Sequence, residues 1–157
     1  MKALLKANRG FTLVELLIVI VVIGILTSGM LLSGSSATSS ARALSIVSDL
    51  RVMKQAVLLM YLDSMDHFDR GQTPKFESLK PAEALARYVD NPGRYDGRYG
   101  FAASGGKWYV SYTIGDDAAG AGEIRANLAG RAGADGLFEG AGQGAYKGGS
   151  TVYMLAR

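Results

Sequence analysis

The chain has 157 residues, with 17 Lys plus Arg against 14 Asp plus Glu and a formal charge of +3; this length holds one ordinary domain with a tail or a membrane segment and excludes two full-sized cores. A hydrophobic fraction of 48% with 20% charged residues excludes a disordered chain. The absence of cysteine excludes a disulfide framework, a thiol nucleophile and any thiolate metal site, and the single His67 excludes a histidine cluster.

Residues 1–10, MKALLKANRG, carry Lys2, Lys6 and Arg9 and no acidic residue. Phe11 to Leu32 then runs for 22 residues with Glu15 as its only charge. As a helix this run spans about 33 Å, which matches the roughly 30 Å of bilayer hydrocarbon. The basic stretch is expected to stay in the cytoplasm and everything after Leu32 to be exported. A secretory signal peptide or a plain anchor is the simpler alternative, with Ser33-Gly34-Ser35 or Ser35-Ser36-Ala37 as small-residue cleavage sites. Neither accounts for Glu15. A carboxylate inside a membrane helix costs about 2.5 to 3.5 kcal/mol on insertion scales, so it either snorkels to the interface or has a partner.

Arg9-Gly10-Phe11-Thr12-Leu13-Val14-Glu15 resembles the cleavage and methylation signature of type IV pilins and of the pseudopilins of type II secretion. The likeness runs on through Leu16 to Leu26, including Gly24, and fades beyond about residue 32. It implies that a prepilin peptidase cuts between Gly10 and Phe11, that Phe11 becomes N-methylphenylalanine, and that Glu15 pairs with the Phe11 amine of a neighbouring subunit during filament assembly. The spacing has its own physical sense. A new amine on Phe11 lies one helical turn from Glu15, and two charges that are costly alone in an apolar medium are tolerable as a hydrogen-bonded pair. The family commonly has a proline where this chain has Leu32. Gly29, Gly34 and the serines around them leave two alternatives for residues 29–40, local flexibility or an intact helix.

From Ala37 to about Leu62, Ala43, Ile46, Leu50, Met53, Val57 and Tyr61 recur three or four apart, which predicts an amphipathic helix with one face for a sheet. The apolar spacing carries on to Met65 and Phe68. Joined to the membrane segment, this helix resembles the pilin spine. Asp63, Asp66 and Asp69 near His67 form a candidate cation site, against the simpler reading of a solvated acidic turn at the helix end.

Lys80-Pro81-Ala82-Glu83 places proline at a helix's first position and predicts a short helix over residues 81–90. Tyr99 to Ala103 and Trp108 to Ile114 read as strands joined by Ser104-Gly105-Gly106, with Trp108, Val110, Tyr112 and Ile114 on one face. Glu123 to Arg131 reads as a helix and Thr151 to Ala156 as a closing strand. Of 21 glycines, 16 lie at or beyond Gly93. Gly140-Ala141-Gly142-Gln143-Gly144-Ala145 matches a loose dinucleotide fingerprint but lacks the following helix. There is no phosphate loop and no Ser, His and acid constellation, so no enzymatic role is expected.

The expected fold is therefore α+β: a long N-terminal helical spine, half transmembrane and half amphipathic, packed on a small antiparallel β-sheet. The expected domains are a cleaved leader (1–10), a transmembrane and assembly helix (11–36) and an exported globular part (37–157). The resemblance implies a prepilin in the inner membrane with its N-terminus in the cytoplasm, then a periplasmic or cell-surface filament. Its partners would be other copies of itself, the prepilin peptidase and an inner-membrane assembly platform with a separate ATPase, with no cofactor or metal. A type II secretion pseudopilin and a minor pilin that binds DNA or a surface ligand are the alternatives. Arg87, Arg94, Arg98 and Lys107 interleave with Tyr88, Tyr95, Tyr99 and Trp108, a pattern that suits single-stranded nucleic acid, but Asp90 and Asp96 reduce the local charge to +2 (4 − 2). Nucleic acid is not an expected partner. Removal of the leader leaves 14 basic residues (17 − 3) against 14 acidic, so the mature chain is formally neutral.

Overall fold

A computed structural model of the chain describes residues 11–63 and 76–157, with the side chains of residues 29–35 outside the description. The chain divides into two compact units, one ending at Ser35 and the other comprising Ser36–Arg157. Helix α1 (Leu13–Asp63) contributes to both. Its backbone is helical without a break through residues 29–40, so the glycines and serines there do not interrupt it.

In the second unit the sequence periodicity becomes a buried stripe. Ala43, Ile46, Val47, Leu50, Met53, Ala56, Val57 and Met60 are all buried, and Leu50, Met53 and Val57 have no exposed surface. Each of those three contributes about 1.5 to 3 kcal/mol by leaving water. Met65 and Phe68, the expected continuation of the stripe, lie outside the described residues.

Strands β1 (Tyr99–Ser104), β2 (Lys107–Thr113), β3 (Leu137–Phe138) and β4 (Thr151–Leu155) form one antiparallel sheet in the order β1-β2-β4-β3. Gly105 and Gly106 join β1 to β2 with φ of 58° and 75°, the backbone that a tight two-residue hairpin requires. Residues directly opposite share a face, so the register places Tyr99, Phe101, Val110, Tyr112, Val152, Met154 and Leu137 on one side. These join the α1 stripe in a single core.

Helix α2 (Pro81–Ala84) is one turn, not the helix over residues 81–90 that the proline predicts. After it the chain follows turns, with the Tyr88 and Val89 amides both donating to Leu85 O. Fully buried Leu85 and the Tyr88 hydroxyl, which donates to Asp63 at 2.8 Å, hold this path in place of a regular helix. Helix α3 (Ala121–Asp135) exceeds its predicted span of 123–131 at both ends. Ile124, Leu128 and Ala132, four apart, give it one buried face. Asp135 in its last turn accepts hydrogen bonds from Arg131 at 2.8 Å and from Arg51 of α1 at 2.7 Å.

Candidate functional site

The segment from Phe11 to Ser28 has no buried residue. Leu13 is 83% exposed, Ile25 69% and Ile18 55%, and the apolar side chains point to every side of the helix. A helix that is apolar all round belongs in lipid or among other helices. Its few polar groups are satisfied within the segment. Thr27 Oγ1 donates to Ile23 O at 2.7 Å and Ser28 Oγ to Gly24 O at 2.9 Å, which lets both hydroxyls sit in an apolar medium. Among the described residues no helix is long and apolar enough to cross a membrane. The described apolar stretch, Leu13 to Ser28, is shorter than the roughly 20 residues that a span needs.

Glu15 stands in the first turn of α1. Its Oε2 accepts from the Thr12 backbone N–H at 3.0 Å and from the Thr12 hydroxyl at 2.7 Å, while the Glu15 amide donates to Thr12 Oγ1 at 3.2 Å. This is a reciprocal capping box, which satisfies amides that would otherwise be left open at the helix start. Thr12 is a capping residue that the family signature alone does not single out. Its signal in the sequence is a threonine three residues before a glutamate, at the head of an apolar run. Phe11 precedes the helix and is 78% exposed, and Gly10 lies outside the described residues.

The basic and aromatic residues between Arg87 and Trp108 are used differently from the pattern their interleaving suggests. Tyr95 is buried, and Trp108 stacks on Phe76 at 4.4 Å and meets Tyr61 edge-on at 5.5 Å. Arg94 pairs with buried Asp49 of α1 at 2.8 Å, and the Tyr99 hydroxyl donates to the same carboxylate at 2.7 Å. Burial first, then that bond to Asp49, push the Tyr99 hydroxyl well above its ordinary pKa. The hydrogen bond to Asp49 likewise raises the Arg94 guanidinium. These rings and charges are packing and bracing groups that tie the sheet to the spine.

Asp63 of the candidate cation site accepts from Tyr88, while Asp66, His67 and Asp69 lie outside the described residues. Among the described residues no group of three or more His, Cys, Asp or Glu side chains is placed to hold a metal ion. The glycine-rich stretch is not a nucleotide loop. It folds back on the sheet: Glu139 N–H donates to Gly144 O, Lys147 N–H to the Glu139 carboxylate, and Tyr146 is buried in the core.

Residues 5–31 match the family model of the prokaryotic N-terminal methylation motif. No match to the chain is found among curated proteins or among solved structures. The matched motif is structural, not enzymatic, and it implies a secreted, membrane-anchored precursor. Over residues 5–31 the chain thus carries the N-terminal methylation motif, the prepilin signature of type IV pilins and pseudopilins.

Proposed function

We propose that the chain is a prepilin whose leader is cut between Gly10 and Phe11, whose Phe11 is then N-methylated, and whose apolar helix anchors it in the inner membrane before it polymerises into a filament. The observation that carries this reading is the methylation motif over residues 5–31. The exposed apolar surface of Phe11 to Ser28 supports it, because in a filament those side chains exchange lipid for neighbouring helices and van der Waals packing takes over.

Glu15 is the assembly residue in this reading. Both Thr12 donors converge on Oε2, so the capping box leaves Oε1 open to a further donor. After cleavage the amine on Phe11 of a neighbouring subunit is such a donor, and its charge offsets that of the carboxylate where neither is tolerable alone. Force for extraction from the membrane comes from a separate motor. Mass spectrometry of the mature N-terminus tests the reading: the expected product begins with N-methylated Phe11, and a start between Gly34 and Thr38 would replace the prepilin with an ordinary secreted protein. Imaging of cell-surface filaments then separates a pilus subunit from a secretion pseudopilin.

A further inference from the structure

A cleft of about 530 Å³ opens in the globular unit between α1, the Pro92–Arg98 segment and the start of α3. Its apolar lining comes from Ile46, Ile114 and Ile124, each buried against the core. Tyr99 and Tyr112 form one wall, their rings 4.8 Å apart. Arg42, Arg94 and Arg98 also line it, with Asp49 and Asp96. The volume lies within the roughly 300 to 1,000 Å³ typical of small-molecule sites, and the lining is mixed, with charged groups and tyrosines around a small apolar floor.

The charges are not evenly spent. Asp49 is taken up by Arg94 and by the Tyr99 hydroxyl. Arg42 donates to the neutral carbonyl of Ala119 at 3.1 Å, and a guanidinium has five N–H groups to place. Arg98 holds Asp117 at 3.4 Å with both side chains solvent-exposed, at 46% and 77%, a loose pair that a better acceptor displaces. Once Arg94 is set against Asp49, the exposed Asp96 is the carboxylate of the lining left to Arg42 and Arg98, and Arg98 also hydrogen-bonds to the Tyr112 side chain. A cationic ligand would meet these guanidiniums unfavourably, and a bare inorganic anion would leave the isoleucines and tyrosines unused. A long polyanion needs an extended basic track, which this single cleft with two aspartates does not offer.

We propose that this cleft binds a small aromatic carboxylate, its carboxylate held by Arg42 and Arg98 and its ring laid on Ile46, Ile114 and Ile124 beside Tyr99 and Tyr112. Guanidinium and carboxylate match in shape and charge, and the apolar lining rewards the ring. The site uses no residue of the N-terminal motif and stands independently of leader processing.

The test is titration of the full-length chain in detergent with 2-naphthoate, followed by NMR of the isotopically labelled protein. Naphthalene-2-carboxamide serves as the neutral isostere and inorganic phosphate as the bare anion. Saturable 2-naphthoate binding is expected, with shifts confined to the cleft and affinity at least about tenfold above either control. Arg42→Gln and Arg98→Gln should each weaken it by about tenfold. Ser45→Tyr, at an exposed position of α1 that lines the cleft, should block it by filling the space without touching a charge. Absence of saturable binding, equal binding of the carboxamide or of phosphate, or full binding by folded Arg42→Gln or Ser45→Tyr would each overturn the proposal.

Discussion

Asp49 is a carboxylate on the buried face of α1, only 8% exposed, and its tolerance there depends on two donors from the far side of the chain, Arg94 and the Tyr99 hydroxyl. Removing it leaves a guanidinium half in water and a half-buried hydroxyl without its acceptor. Asp49→Ala should therefore cost about 2 kcal/mol of stability, below the full penalty for a wholly buried pair because Arg94 reaches solvent. Denaturant unfolding of the full chain in detergent would show it, and a loss under about 0.5 kcal/mol would mean that the bond to Asp49 is not what braces the sheet. The same bond gives a pH dependence. Folding raises the Tyr99 pKa, and burial raises that of Tyr146 to about 12. A group whose folded pKa is raised gives its full stabilisation below its unfolded pKa, about 10 for tyrosine, and loses it as pH climbs toward the folded value. This tyrosine contribution should be flat below pH 10 and fall between 10 and about 12, with less fall in Tyr146→Phe. In the proposed filament, Glu15 acts at another level. Glu15→Ala should still be processed and inserted but assemble poorly; filament yield equal to wild type would remove Glu15 from assembly.

At the scale of elements, the strongest periodicities were legible in advance. The α1 stripe, the hairpin at Gly105-Gly106 and strand β4 follow from spacing and turn chemistry, because each is set by residues within one or two turns of chain. What was missed depended on distant partners. Strand β3 is two residues long and exists only because Leu137 and Phe138 pair with Met154 and Tyr153. Helix α2 stops early because Leu85 and Tyr88 are drawn to the core and to Asp63, which no local pattern announces. The site shows the same division: the signature around Gly10, Phe11 and Glu15 is contiguous and readable, while the cleft assembles residues from 42 to 124. The glycines after Glu139 also answer to distant contacts. At Gly142, φ is +78° and a Cβ would stand 2.9 Å from Ser104 Oγ at the end of β1. Gly142→Ala should cost roughly 1 to 2 kcal/mol through backbone strain and that clash. A thermal midpoint unchanged from wild type would show that the loop adjusts freely.

Among the described residues, the N-terminal segment is exposed and the buried core lies in the second unit. Every buried residue among the described ones lies between Ser39 and Ala156, within the unit Ser36–Arg157, while Phe11 to Ser28 are exposed throughout. The globular unit therefore has a buried core of its own, and an exposed apolar helix such as Phe11 to Ser28 calls for an apolar medium around it. Charge divides in the same way. Residues 1–10 hold the entire basic excess, and residues 36–157 keep 14 basic against 13 acidic residues (14 − 1, Glu15 excluded). In the proposed reading the basic balance of the precursor is a topology signal, and a globular unit with so little net charge gives no general attraction for polyanions. A fragment comprising residues 36–157 should then fold alone, stay in solution without detergent and unfold in one cooperative step, whereas the full chain should partition into detergent or membrane. Dispersed amide NMR signals and a single denaturant transition in the fragment would check this. A molten fragment that sharpens only when the preceding helix is restored would mean that the first unit supplies packing to the second, and the division of labour between anchor and globular unit would have to be redrawn.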